Sequence, residues 1–342
     1  MSKHKYLKWI VTIASLLLLM LGTITWSLSK GDMSIPFMKI HAYLFNDTTS
    51  IEHTILASIR LPRIFLGLAV GGALGLAGVI LQGIYRNPLV EPYTLGISGG
   101  AALGVAFTIV LGLHIAFGSM MLPLSGFIGA IIMLFMVYFI SMQQGKIDIQ
   151  KMVLIGVMVS FIASSTMMFL MATTTTENLH GIVFWVMGSL DETDTNLITI
   201  VAVAAIASLV ATYFFIQPLN ALRLGEYKAR TLGINTDLAI KVLFVIASLL
   251  TGITVAVAGI IGFVGLIIPH LMRMIVGTDY RILLLSSFLS GGIFVVFCDT
   301  LARTIILPNE LPIGAITGMI GGLAFILILS NENRKSRKES YE

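Results

Sequence analysis

The sequence predicts an all-α integral membrane protein of about ten transmembrane helices with both termini cytoplasmic, and three observations carry that prediction. Hydrophobic residues fill 57% of the 342 positions and charged residues only 11%, and mean hydropathy is +0.97, far from the balance of a water-soluble domain. Apolar runs of about 17 to 25 residues, the length a bilayer requires, recur along the whole chain. Lys and Arg fall in short clusters between those runs rather than on one basic face, so the pI near 9.1 reflects topology and not nucleic-acid binding.

Taken in order, spans are expected near 8–28, 61–84, 93–112, 119–141, 151–172, 194–216, 237–257, 259–276, 282–302 and 311–330. Residues 1–7 form an N-terminal segment, 8–330 one ten-helix bundle and 331–342 a basic tail. The first run follows Lys3, Lys5 and Lys8, has no small-residue cleavage site and is bracketed by Trp9 and Trp26, so it reads as a retained helix with interfacial anchors. With the N-terminus inside, alternate connections on the inner side collect Arg86, Lys146, Lys151, Arg223, Lys228, Arg230, Lys241, Arg273, Arg281 and the tail Arg334, Lys335, Arg337 and Lys338. The outer side keeps Lys30, Lys39, Arg60, Arg63 and Arg303, which is the asymmetry the positive-inside rule requires. The lone Cys298 lies in an apolar run and reads as a small packing residue.

Glycine is too abundant, at 33 residues, for helices that face only lipid. Gly72, Gly75 and Gly78 stand at three-residue spacing, and Gly259, Gly262 and Gly265 repeat it. Such spacing lets backbones approach, and close packing drives helix association in lipid. Arg86 and Arg273 each stand eight residues after the third glycine of their set; both runs point the same way through the bilayer, which argues for chance or shared packing chemistry rather than an inverted repeat. Pro269 removes a backbone donor inside the eighth span, a break that needs neighbouring protein to restore the hydrogen bond. His270 beside it has no second His, Cys or carboxylate at ligand spacing, so a polar residue held by a neighbouring helix is favoured over a metal site. Asp299 and Arg303 are four apart, an intrahelical pair.

Between the second and third runs, RNPLVEPYTLGISGG interrupts the apolar pattern from Arg86 to Gly100. Pro88 and Pro92 keep the two spans from merging, Pro92 suits the first turn of the next helix, and Gly96, Gly99 and Gly100 thin one face of it. No phosphate-binding G-x-x-x-x-G-K-[S/T], no H-E-x-x-H and no converging Ser/His or carboxylate pair is present, so intramembrane enzymatic chemistry is disfavoured. Intramembrane carboxylates are almost absent, which leaves a gradient-driven secondary carrier little to couple with.

The segments RLPR (Arg60 to Arg63), AGVILQ, RNPLVEPYTLGISGGA, FWVMGSL, LGEYKARTLGIN, GIIGFVGLIIPHLMR, GTDYR, DTLAR and ELPIGAITGMIGG follow one another over residues 55–328. In that order they resemble the permease subunit of type II ABC importers, the FecCD-type family that carries iron-siderophores, haem or cobalamin across the bacterial or archaeal cytoplasmic membrane. The resemblance implies ten helices per subunit, pairing with a second copy or a close paralogue, two separate ATPase subunits that use ATP and Mg, an extracytoplasmic substrate-binding protein, and no cofactor or metal held by this chain. It implies that the loop from Pro218 to Asn235 is the element docking on the ATPase, through Leu222, Arg223, Leu224, Gly225, Glu226, Ala229, Arg230, Leu232 and Gly233. The apolar and charged mixture there, with glycines able to end short helices, independently suits two short surface helices, and an amphipathic loop resting on anionic lipid is the other reading. Arg60, Arg63 and Arg303 are implied to pair with glutamates of the binding protein; snorkelling or the Asp299 pair are the alternatives. Asn87 and Pro88 join the glycines above and Pro269 in the expected packing and pore set. Trp185 is expected on a short outer helix. Leu323 after Gly322 departs from the proline often found there, and predicts a straighter last helix. Siderophore ranks first as cargo and haem second, with cobalamin and a secondary carrier as alternatives.

Overall fold

A computed structural model of the chain describes residues 3–45, 49–143, 146, 147 and 149–339. The extreme ends of the expected terminal segments, residues 1, 2 and 340–342, and the side chains of the basic tail lie outside the described residues.

The glycine-rich run Leu61–Tyr85 forms the helix on which the others assemble, here α2, after α1 (Lys3–Ser29). Helical winding continues upstream of α2 to Ile51, but Ile55–Arg60 is π-wound. Nearly all of α2 is buried, because its small residues admit other backbones. A Cβ on Gly71 would lie 2.2 Å from the Gly291 carbonyl oxygen, and one on Gly291 would lie 2.1 Å from that of Gly71. Two helices meeting this closely gain dispersion along their whole length, which in lipid replaces the hydrophobic effect as the cohesive term.

The remaining helices follow in order. They are α3 (Ile97–Val110), α4 (Met121–Ser141), α5 (Ile149–Thr173), the short α6 (Thr176–Val186) and α7 (Thr195–Tyr213). Next come the short pair α8 (Ile216–Leu222) and α9 (Glu226–Thr231), then α10 (Thr236–Ala258), α11 (Val264–Val276), α12 (Tyr280–Ala302) and α13 (Ile313–Glu339). A two-rung antiparallel ladder, β1 (Met142–Gln143) with β2 (Lys146–Ile147), is the single departure from helix pairing among the described residues. Asp194, Asn235 and Asp279 cap α7, α10 and α12, each side chain accepting from an N–H of the first turn. α2 packs on α12, α10, α11 and α7, while α3 packs on α4 and α5.

Seven of the ten expected spans are helices long and apolar enough to cross a bilayer; α3, α11 and the apolar Ile313–Ile328 part of α13 are shorter. The expected third and eighth spans are therefore corrected. Pro92–Leu95 winds as a separate 3₁₀ turn, and Gly96 at φ 80° breaks it from α3, so Pro92 opens that turn and not the long helix. Gly259–Phe263 is not helical, which leaves α11 with 13 residues, about 20 Å at 1.5 Å per residue. Gly259 and Gly262 are consequently not on the helix that carries Gly265. The last helix continues unbroken past Leu323.

The bundle has two distinct ends. Lys5 reaches Asp279 at the start of α12 (Nζ to Oδ2 3.1 Å), and Arg223 between α8 and α9 donates to the Thr278 carbonyl at 2.9 Å, so the N-terminus, the α8–α9 loop and the α11–α12 turn share one end. Burial pushes the Asp279 carboxyl up, but the Arg281 N–H and the Lys5 and Arg281 charges outweigh it and hold the group below the usual carboxylate range. At the other end Arg303, after α12, donates to Ser27 in the last turn of α1 and to Lys30 just beyond it.

Candidate functional site

The arginine end is a buried ion network. Asp299, 1% exposed, receives Arg63 Nε at 2.9 Å on one oxygen and faces Arg303 Nε at 3.4 Å with the other. Arg63 also donates to Glu310 at 2.8 Å and lies 3.8 Å from Asp191. Arg303 donates to the Lys30 carbonyl at 3.0 Å and, at 2.7 Å each, to the carbonyl and hydroxyl of Ser27. Arg60, at the end of the π-wound stretch, donates to the carbonyls of Leu28 and Met33. All three arginines implied to pair with a partner's glutamates are buried and engaged inside the chain, and the Asp299 pair weighed as the alternative for Arg303 is present. Desolvated guanidiniums need internal acceptors, and the turn after α1 supplies carbonyls that no sequence motif announced. The exposed members of the network are acids, Glu310 and Asp191.

Halfway along the bundle, the break before α11 is held from three sides by the EPY triplet of the loop after α2. Glu91 accepts the Phe263 N–H. Tyr93 donates its hydroxyl proton to the Ile261 carbonyl at 3.0 Å and accepts the Ile261 N–H at 3.2 Å. The Pro92 ring occupies the space a Cβ on Gly265 would need, at 2.6 Å. The interruption seen in the sequence is therefore a brace for a second interruption 170 residues away, and Glu91 and Tyr93 were missed because neither belongs to a chemical motif.

Pro269 leaves the Gly265 carbonyl without its helical donor. Gln82 of α2 donates its side-chain amide to that oxygen and to the Leu266 oxygen, each at 3.2 Å, so a neighbouring helix restores the bond as expected for a mid-bundle proline. Substituting Gln82→Met is expected to leave these buried acceptors unpaired and to destabilise the protein by about 1–3 kcal/mol, read as a lowered thermal midpoint of the detergent-solubilised chain.

The packing residues are placed as follows. Gly72 faces the Phe288 ring, Gly75 the Ser287 carbonyl and Gly78 the Gly265 carbonyl, at 2.9, 2.5 and 2.0 Å from their ideal Cβ positions. Gly96 and Gly99 lie against α5 and Gly100 against α4, whereas Gly259 takes φ 68° beneath the Trp185 carbonyl. A Cβ on Gly262 would meet nothing within 4 Å; its expected packing role is corrected, because it lies in the non-helical stretch before α11 rather than on a packed helix face. Trp185 lies near the C-terminal end of α6, and Asn87 and Pro88 line a cleft at the α8–α9 end.

The α8–α9 loop has a buried underside and an apolar top. Leu222 and Ala229 are at most 1% exposed, whereas Leu224, Tyr227 and Leu232 are 59%, 82% and 64% exposed. Arg230 fixes α9 to the start of α10 by donating to Glu226 at 2.7 Å, Asp237 at 2.9 Å and Thr236 at 2.8 Å. Gly225 and Gly233, at φ 104° and 81°, close the two short helices. Tyr227, unremarked in the sequence, is the most exposed of the three apolar side chains.

These features define a class: a multi-pass protein of the cell membrane, with a buried ion network at one end of its helices and an exposed apolar loop at the other. The chain belongs to the FecCD transport family, whose model matches residues 17–331. It is 38% identical over 285 residues to an uncharacterised ABC transporter permease protein, YvrB, of Bacillus subtilis, covering 83% of this chain and 80% of that one. It is 34% identical over 326 residues to the hemin transport system permease protein HmuU of Yersinia pestis, covering 94% and 96%. A solved structure titled as an inward-facing conformation of a putative metal-chelate type ABC transporter superposes with a TM-score of 0.82 at 31% identity, covering 94% of this chain and 99% of that one. The protein is a type II ABC importer permease, and ATP hydrolysis resides in a separate subunit.

Proposed function

We propose that this chain is the membrane-spanning half of an ATP-driven importer of an iron(III) chelate, with a siderophore as first cargo and haem as second. Ten crossings place both termini and the α8–α9 loop in the cytoplasm and the arginine network outside. Two copies, or this chain and a close paralogue, enclose the passage; two ATPase subunits using ATP and Mg dock on the α8–α9 loops; an extracytoplasmic binding protein delivers the chelate to the arginine end. The observation that carries this reading is the loop itself, because an exposed apolar triplet on a base locked by Arg230 and buried Leu222 transmits a push without absorbing it. At the opposite end, a glutamate of the binding protein enters the network by replacing Glu310 or Asp191 on Arg63, so the arginines position the docking face from within. Cobalamin remains the alternative cargo, since relatives bear the name of vitamin B12 permeases as well as siderophore permeases.

The test is uptake of labelled ferric siderophore, haem and cobalamin into liposomes holding this chain with its genetically adjacent ATPase and binding protein. Tyr227→Asp with Leu232→Asp is expected to lower ATP-dependent uptake at least tenfold and to lose the ATPase on purification, while the loaded binding protein still associates. Uptake driven by a proton or sodium gradient without ATP would return a secondary carrier to first place.

A further inference from the structure

The equal spacing of Arg86 after Gly78 and Arg273 after Gly265 is not used by the transport reading. α2 and α11 run side by side in the same direction, with Gly78 on the Gly265 carbonyl and Gln82 on the carbonyls of Gly265 and Leu266. Matching intervals along parallel helices therefore deliver both guanidiniums to one place. A cleft of about 490 Å³ opens there, and Arg223 of the α8–α9 loop stands on its third side.

Among the described residues no Asp or Glu lines this cleft. The acids nearest in sequence are engaged elsewhere, Glu91 with the Phe263 N–H, Asp279 with Lys5 and Glu226 with Arg230. Among the described residues Arg86 meets no hydrogen-bond acceptor. Arg273 bonds the Tyr280 hydroxyl, and Arg223 spends one N–H on Thr278, so most of the fifteen or so donors a trio of guanidiniums carries remain for a ligand. Three cations around one space repel each other, and an anion between them adds an attractive term with each that offsets the repulsion. Guanidinium forks match the oxygens of phosphate in geometry and charge. Met274 and Ile275 are exposed beside the cleft, where they would meet the glyceryl and acyl portion of an amphiphile.

We propose that the Arg86–Arg223–Arg273 cleft binds a phosphate group, the chemistry shared by a phospholipid headgroup and a free phosphate ion. The site needs neither the direction nor the cargo of transport to be as read above. Two arms separate the sources. Retention of phosphatidylglycerol against phosphatidylcholine is measured by native mass spectrometry of the full chain in detergent; binding of inorganic phosphate to the delipidated chain is measured by calorimetry against chloride at matched ionic strength. R86Q/R273Q is expected to lower one or both at least tenfold, with R86Q alone, at an exposed position, moving the same way by less. Arg281→Gln, an exposed arginine of the same end outside the cleft, is expected to change neither. Loss of lipid retention alone identifies the headgroup; loss of inorganic phosphate binding identifies the free ion. Unchanged binding in both arms with a monodisperse R86Q protein overturns the proposal, as does loss of ATPase capture with both arms unchanged, which would give the cleft to an acidic partner protein.

Discussion

Replacing Asp299 with leucine is expected to destabilise the protein by about 3–5 kcal/mol, the range for removing one partner of a buried ion pair. Asp299 is the carboxylate that both Arg63 and Arg303 face, at 2.9 and 3.4 Å, and it is 1% exposed. Without it, Arg303 retains carbonyl and hydroxyl acceptors and only the longer-range charges of Asp32 and Glu310, and Arg63 retains the half-exposed Glu310 and a more distant Asp191. The cost comes from two buried cations left under-compensated and not from lost packing, since leucine fills a comparable volume. That distinction is measurable. Arg63→Met added to Asp299→Leu should recover part of the loss, so the double variant is more stable than the sum of the single changes predicts. Thermal unfolding of the solubilised chain, followed by size exclusion after heating, reads the cycle. Additive losses would show that the network is a set of independent contacts rather than one unit.

The same residues show how far the sequence alone reaches. Apolar run length places a helix at each of the ten expected positions because the bilayer constrains length directly. It overestimates α3 and α11, since Gly96 and the stretch from Gly259 to Phe263 are apolar in composition yet not helical in conformation. Hydropathy counts such residues as helix; only the brace from Glu91 and Tyr93 reveals why the chain can stay unwound there. The two short helices of the α8–α9 loop are legible, as glycines at Gly225 and Gly233 and an alternation of leucine with charge mark their ends. The fate of Arg60, Arg63 and Arg303 is not legible. Arg60 and Arg303 find backbone carbonyls of Ser27, Leu28, Lys30 and Met33, which carry no residue signature, and Arg63 finds Asp299 and Glu310, more than 230 positions away in sequence. The parallel course of α2 and α11 was available from the topology, but the meeting of Arg86 with Arg273 required the register, which Gly78 and Gly265 set.

That register leads to the largest expected effect in the chain. Gly78→Val is expected to abolish folding into the membrane, because the first carbon added would sit 2.0 Å from the Gly265 carbonyl oxygen and 2.7 Å from its Cα. Backbone cannot rotate out of the way as a side-chain tip can. α11 would have to move by more than an ångström, and it is held on its other side by Pro92 and at its break by Tyr93 and Glu91. The shift would also pull the Gly265 and Leu266 carbonyls from Gln82, exposing the gap that Pro269 leaves. Overpacking of ordinary side chains costs about 1–3 kcal/mol, and here the obstacle is main chain at sub-van der Waals distance with no soft neighbour. Fluorescence-detected size exclusion of a tagged chain should show the monodisperse peak lost for Gly78→Val and kept for Gly262→Ala, whose added carbon meets nothing within 4 Å. Equal behaviour of the two variants would mean that small residues are tolerated at these positions rather than required, and that α2 and α11 are free to separate.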